Sequence, residues 1–184
     1  VRKDIHSEAT PAEKATITEY AGDIWKFFGD AVSEKTSFLP VDNIQLYPTE
    51  KYCEKTSPTN IGLYLASVLA ARDFTFIDSD TMYHLLYNTF DTIKKLKKWN
   101  GHLYNWYSTK DLSVISPEVI SSVDSGNFLA CLICLKEGLK EYVNEKTELL
   151  EIIADAEKVI NETGIDMLYD KSKKLFYIEA AIDK

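Results

Sequence analysis

Asn60, Asn105, Asn127 and Asp124 can donate and accept hydrogen bonds, while Tyr104, Trp106 and Tyr107 offer flat apolar rings. Sugars call for both, because their hydroxyls need paired donors and acceptors and their C–H faces pack on aromatic rings. These residues fall in three stretches far apart in sequence: Thr56 to Asn60, Gly101 to Tyr107, and Asp124 to Asn127. Each also has a plainer structural use. Asp124 is placed to cap a helix, Asn60 to tie down the loop before it, and the rings to fill a core with their polar tips bonded. His102, beside a helix end, reads as structural. Asp124 is the one carboxylate in the three stretches, so it alone among them could serve catalysis, and glycoside chemistry needs a pair.

Other chemistries find less support. Cys131 and Cys134 have the C-x-x-C spacing, and with His102 they suggest a zinc site. They lie inside the apolar run Phe128 to Leu135, however, with no second ligand pair, and read as small interior residues of a helix. No metal or other cofactor is expected. A net charge of −8 argues against nucleic acid, which needs a concentrated basic surface. Lys94, Lys95, Lys97 and Lys98 read instead as a solvated helix end, where cations suit the negative dipole terminus. The longest apolar runs are about half of what a membrane span requires.

The elements that must position these residues are mostly helical. Residues 1–9 are expected to be flexible. Thr10-Pro11-Ala12-Glu13 is a capping box that opens an amphipathic helix reaching about Ser33. Ser37 to Cys53 is irregular, and a loop of that length is often functional. Ser57 or Thr56 caps a second helix with Pro58 in its first turn. Ile61 to Ala71 is almost wholly apolar, so this helix is buried on every side. Asp78-Ser79-Asp80 caps a third helix running to about Trp99, which Asn100-Gly101 stops. A fourth starts at Asp124 to Asn127, and an amphipathic fifth spans about Lys146 to Thr163. The segment from Tyr169 to Ile178 reads as a turn into a short strand. Amphipathic and buried helices thus alternate, as in an all-α double layer of inner and outer helices, part of an α/α toroid or a solenoid; no repeat at the periods of the common helical solenoids is present, so the toroid is preferred. With consecutive helices antiparallel, the three polar-aromatic stretches meet at one rim.

Four motifs carry a family resemblance. Leu39-Pro40-Val41-Asp42-Asn43-Ile44-Gln45, Thr56-Ser57-Pro58-Thr59-Asn60-Ile61-Gly62-Leu63-Tyr64-Leu65, Gly101-His102-Leu103-Tyr104-Asn105-Trp106-Tyr107 and Ser122-Val123-Asp124-Ser125-Gly126-Asn127 follow one another in this order. In that sequence they resemble the middle region of the bacterial cyclic β-1,2-glucan synthases, just ahead of its glucoamylase-like segment. The match departs near the end, where Phe176-Tyr177-Ile178 runs into Glu179-Ala180-Ala181. The resemblance implies a piece of a larger, membrane-associated protein that rearranges β-1,2-glucan by transglycosylation, and gives the toroid the six-hairpin, glucoamylase-like form. It implies a soluble domain on the cytoplasmic side, a β-glucan oligosaccharide as partner, and catalytic carboxylates downstream of Lys184. Asn60, Tyr104, Asn105, Trp106, Asp124 and Asn127 would then bind substrate. The fragment alone would be inactive, and its exposed inner-helix surface would favour a homodimer. The alternative from another class is a non-catalytic helical interaction or structural module with no sugar affinity.

Overall fold

The computed structural model describes residues 8–181; the expectation for residues 1–7 lies outside them. The capping box is present. The Glu13 backbone N–H donates to Thr10 Oγ1 at 3.3 Å, and the Thr10 N–H donates to Glu13 Oε2 at 2.8 Å, opening α1 (Pro11–Ala31). Only one end of this helix is anchored. Phe28 and Ala31 are buried in its last turns, whereas Ile17, Tyr20 and Ile24 are 53%, 64% and 60% exposed.

The stretch read as irregular contains a short 3₁₀ turn (Glu34–Thr36) and a hairpin of β1 (Ile44–Gln45) and β2 (Lys51–Tyr52). Next, β3 (Lys55–Thr56) feeds through Ser57 into α2 (Pro58–Asp73). Ser57 Oγ accepts from the Asn60 N–H at 3.2 Å, and Pro58 takes the first helical position, where no N–H is needed. A short turn reverses the chain into α3 (Ser79–Lys95), capped by Asp78 Oδ1 on the Thr81 N–H at 2.8 Å.

Here the all-α reading fails. Among the described residues, 55% are helical and 16% lie in strands, which form four antiparallel sheets, and the fold is therefore mixed α and β. The third helix ends at Lys95 rather than near Trp99, because Leu96 turns extended at φ −62° and ψ 136°. Lys98 Nζ folds back to donate to the carbonyls of Ile93 at 2.5 Å and Leu96 at 3.2 Å, satisfying acceptors at the helix end. Lys98–Trp99 is then β4, and Asn100 (φ 47°) and Gly101 (φ 82°) form a two-residue turn into β5 (His102–Leu103). Asn-Gly is thus a hairpin turn, which both positive φ values require, and not a helix stop.

Two further strands follow, β6 (Asn105–Ser108) and β7 (Val114–Ser121), and β7 runs directly into α4 (Ser122–Leu139). Ser121 Oγ accepts the Asp124 N–H at 3.1 Å, so Ser121 is the cap and Asp124 the third residue of the helix. After α5 (Leu149–Glu162) come a small hairpin, β8 (Tyr169–Asp170) with β9 (Leu175–Phe176), and β10 (Glu179–Ala181). The main sheet has the order β10-β7-β6-β3, antiparallel throughout.

Two helices therefore spring from one sheet, and they run in the same direction. Thr59 meets Asn127, Gly62 lies against Phe128 and Cys131, and Leu69 lies against Gly138, pairing α2 and α4 in step. A Cβ on Gly62 would sit 3.1 Å from Cys131 Cβ and Phe128 Cα, so its absence sets this close approach. Ile61, Leu65 and Val68 of α2 join Leu132 and Leu135 of α4 in the core, with Leu86 and Phe90 of α3 and Ile152 of α5. Burial of such side chains contributes about 1.5–3 kcal/mol each. The other side of the pair is open: Leu63, Ile133 and Cys134 are exposed and Cys131 is half-buried, so neither helix is covered all round. Among the described residues no helix is long and apolar enough to cross a membrane.

Candidate functional site: a polar rim at two helix starts

In the main sheet β6 lies between β3 and β7, the two strands that lead into α2 and α4. This topology, rather than a ring of helix ends, gathers the three stretches. Thr56 pairs with Tyr107 across the sheet. Asn105 Nδ2 donates to Asp124 Oδ2 at 3.0 Å, and Asn127 Nδ2 to Thr59 Oγ1 at 3.2 Å. Asp124 and Asn127, three apart on α4, share one face of it.

A fourth stretch joins them. Asn60 Nδ2 donates to Asp42 Oδ1 at 3.1 Å, so Asn60 does tie down its preceding loop. Asp42 Oδ2 accepts from Asn43 Nδ2 at 3.0 Å and lies 3.7 Å from Lys55 Nζ. The Lys55 ammonium sits 3.8 Å from the centre of the Trp106 ring, a cation–π contact. Asp42 and Lys55 were missed as site residues, although Asp42 belongs to the first of the four motifs. What ties them to Asn60 and Trp106 is strand pairing and loop course, which spacing along the chain does not reveal.

The aromatic residues divide. Trp106 remains partly exposed, but Tyr104 and Tyr107 are buried and pack edge to face, their centres 6.4 Å apart. Tyr104 therefore has no open ring face to offer a sugar, which corrects its expected place among the binding residues. Tyr107 is a structural post: its hydroxyl donates to the Lys97 carbonyl and accepts the Tyr104 N–H at 2.8 Å. Burial pushes the Tyr107 hydroxyl pKa well above its ordinary value. Tyr107→Phe leaves two backbone groups without a partner in the interior, and is expected to cost about 1–3 kcal/mol of stability. Urea denaturation should show the lowered midpoint; an unchanged midpoint would mean that water replaces the hydroxyl.

His102 is also a post. Its Nε2 lies 3.1 Å from the Gly164 carbonyl, which can only accept, so Nε2 carries the proton and Nδ1 accepts from Ser125 Oγ at 2.9 Å. With both nitrogens engaged it cannot join Cys131 and Cys134 on zinc. Among the described residues no three His, Cys, Asp or Glu side chains gather as a metal site. Two buried rim atoms lack partners, Asn105 Oδ1 and Thr56 Oγ1. A concavity of about 750 Å³ lies elsewhere, between the end of α1 and the Glu54–Lys110 pair, and none of the predicted site residues lines it.

Over 118 residues, 64% of its length, the chain is 42% identical to the cyclic beta-(1,2)-glucan synthase NdvB of Rhizobium meliloti (strain 1021). Over that stretch the chain is similar to a cyclic β-1,2-glucan synthase. It spans 4% of that protein's length. No protein-family model matches it. Among solved structures, a glucoamylase-like protein from Bacteroides fragilis NCTC 9343 superposes with a TM-score of 0.75 at 13% identity, over 96% of this chain and 42% of that one. The endo-beta-1,2-glucanase of Chitinophaga pinensis, solved with sophorotriose and glucose, gives 0.72 at 13% identity, over 92% and 41%. The beta-1,2-glucanase of Parabacteroides distasonis gives 0.71 at 11% identity, over 93% and 24%. At such identities the likeness establishes the fold alone, and that fold is glucoamylase-like.

Proposed function

We propose that this chain is the substrate-lining part of a domain that handles β-1,2-glucan, within a larger protein that supplies the catalytic carboxylates. The observation that carries the reading is the convergence of Asn60, Asn105, Trp106, Asp124 and Asn127 on one rim, in a chain similar to a β-1,2-glucan synthase. In this reading the Trp106 ring packs against the C–H face of a glucose unit, and the amides and carboxylates bond its hydroxyls. Asp124, held by Asn105 at the start of α4, orients substrate and does not cleave it.

Titration with linear β-1,2-gluco-oligosaccharide, followed by tryptophan fluorescence against a β-1,4 control, tests this. A saturable change is expected, and it should vanish in Trp106→Phe, although Trp25 and Trp99 remain. Calorimetry on Trp106→Ala should show affinity lower by roughly tenfold, the loss of one aromatic contact. The rival reading, a non-catalytic interaction module, draws on the exposed apolar residues Ile17, Tyr20, Ile24, Leu63 and Ile133. A flat titration of a folded chain would favour it.

A further inference from the structure

The side-chain amides at the rim are not free to face either way. Asn60 Nδ2 is 3.1 Å from Asp42 Oδ1, and Asn105 Nδ2 is 3.0 Å from Asp124 Oδ2. A carboxylate oxygen only accepts, so each carboxylate fixes the NH₂ group toward itself and turns the amide oxygen away from it. No protein donor reaches Asn60 Oδ1 among the described residues, and Asn105 Oδ1 is buried without a partner. A buried acceptor with no donor in the protein is left to a water or to a ligand hydroxyl that replaces it. Asn43 and Lys55 hold Asp42 in turn, and Lys55 covers one side of the Trp106 ring.

We infer that Asp42 and Asp124 are positioning residues that lock Asn60 and Asn105 with their carbonyl oxygens turned away from the carboxylates and unpaired within the protein, making the rim an array of acceptors for hydroxyl-donating ligands. This rests on the saccharide reading above and adds to it the sense of each hydrogen bond: the ligand's hydroxyls donate, and the protein's amides accept. Trp106 supplies the apolar surface, and the Lys55–Asp42 pair fixes the angle at which that ring is offered.

The test compares two substitutions of Asp42. Asp42→Leu keeps the bulk and removes both acceptor oxygens; Asp42→Asn keeps one oxygen that can still receive the Asn60 NH₂. Calorimetry with linear β-1,2-gluco-oligosaccharide should show affinity lower by roughly tenfold in the leucine variant and within about threefold of the parent in the asparagine variant. In ¹⁵N-labelled chain, the Asn60 side-chain amide resonances should shift in Asp42→Leu and stay near their parental positions in Asp42→Asn. Asp124→Leu should act in the same way on Asn105, which keeps the inference testable should Asp42→Leu fail to fold. Parental affinity in a folded leucine variant overturns the inference, as does an Asn60 amide indifferent to that change. A parent chain that binds no oligosaccharide overturns the saccharide reading instead, while the amide resonances still report the orientation.

Discussion

Gly101→Ala is expected to destabilise the chain by about 2–5 kcal/mol, combining the cost of a left-handed backbone with that of overpacking. Gly101 sits at φ 82° in the β4–β5 turn, a conformation in which a side chain is strained. The space is also taken. An added Cβ would lie 2.1 Å from Glu162 O, 2.6 Å from Glu162 C and 2.8 Å from Thr163 Cα, all backbone atoms at the end of α5. Those atoms cannot rotate aside, because Thr163 Oγ1 donates to Gly101 O at 3.3 Å and the Gly164 N–H donates to Asn100 O at 3.1 Å. The turn and the helix end are therefore one joint. Gly126→Ala is the matched control: it lies within α4 with nothing within 4 Å of its added Cβ. That change should stabilise by up to about 1 kcal/mol through helix propensity. Thermal denaturation followed by circular dichroism should separate the two variants in opposite directions, and equal melting temperatures would refute the account of the joint.

Leu132→Ala is expected to cost about 2–5 kcal/mol, the range for emptying a core site. Leu132 is fully buried on the side of α4 that faces the core shared with α2, α3 and α5. Its neighbour Ile133 points away and is about half exposed, at 49%. Ile133→Ala should therefore change stability by less than about 1 kcal/mol, although it deletes a side chain of similar size. Urea midpoints of the two variants measure the asymmetry directly. Similar losses would mean that the open side of α4 is covered in solution.

How far the sequence carried these conclusions depends on the range of the interaction involved. Thr10, Ser57 and Asp78 were readable as caps because a cap acts over three residues, and each bonds as expected. Chain reversals alone suggested that the three stretches meet at one rim, but the sheet that gathers them was not legible. Its strands β3 and β6 run only from Lys55 to Thr56 and from Asn105 to Ser108, too short for an alternating pattern to stand out. Asn100-Gly101 carried a hairpin signal, but the lysine-rich helix before it made a stop the simpler reading; the fold-back of Lys98 decides against that. Tyr104 was assigned to the rim by its residue type, while burial, set by partners distant in sequence, puts it in the core. Asp42 escaped notice because its partner Asn60 lies across a loop and a hairpin.

The four-stranded sheet has a consequence for the order of assembly. The α2–α3 and α4–α5 hairpins join neighbours along the chain and can form early, whereas the sheet must bring Thr56 together with Tyr107, and Ser121 with Glu179. Contacts between distant segments cost more chain entropy to close than local ones. The rim hangs from that sheet, so it becomes ordered only when that distant pairing has closed. A ligand that spans Asn60 and Asn105 would bind only the completed state, and it would hold shut the seam on which its own site depends.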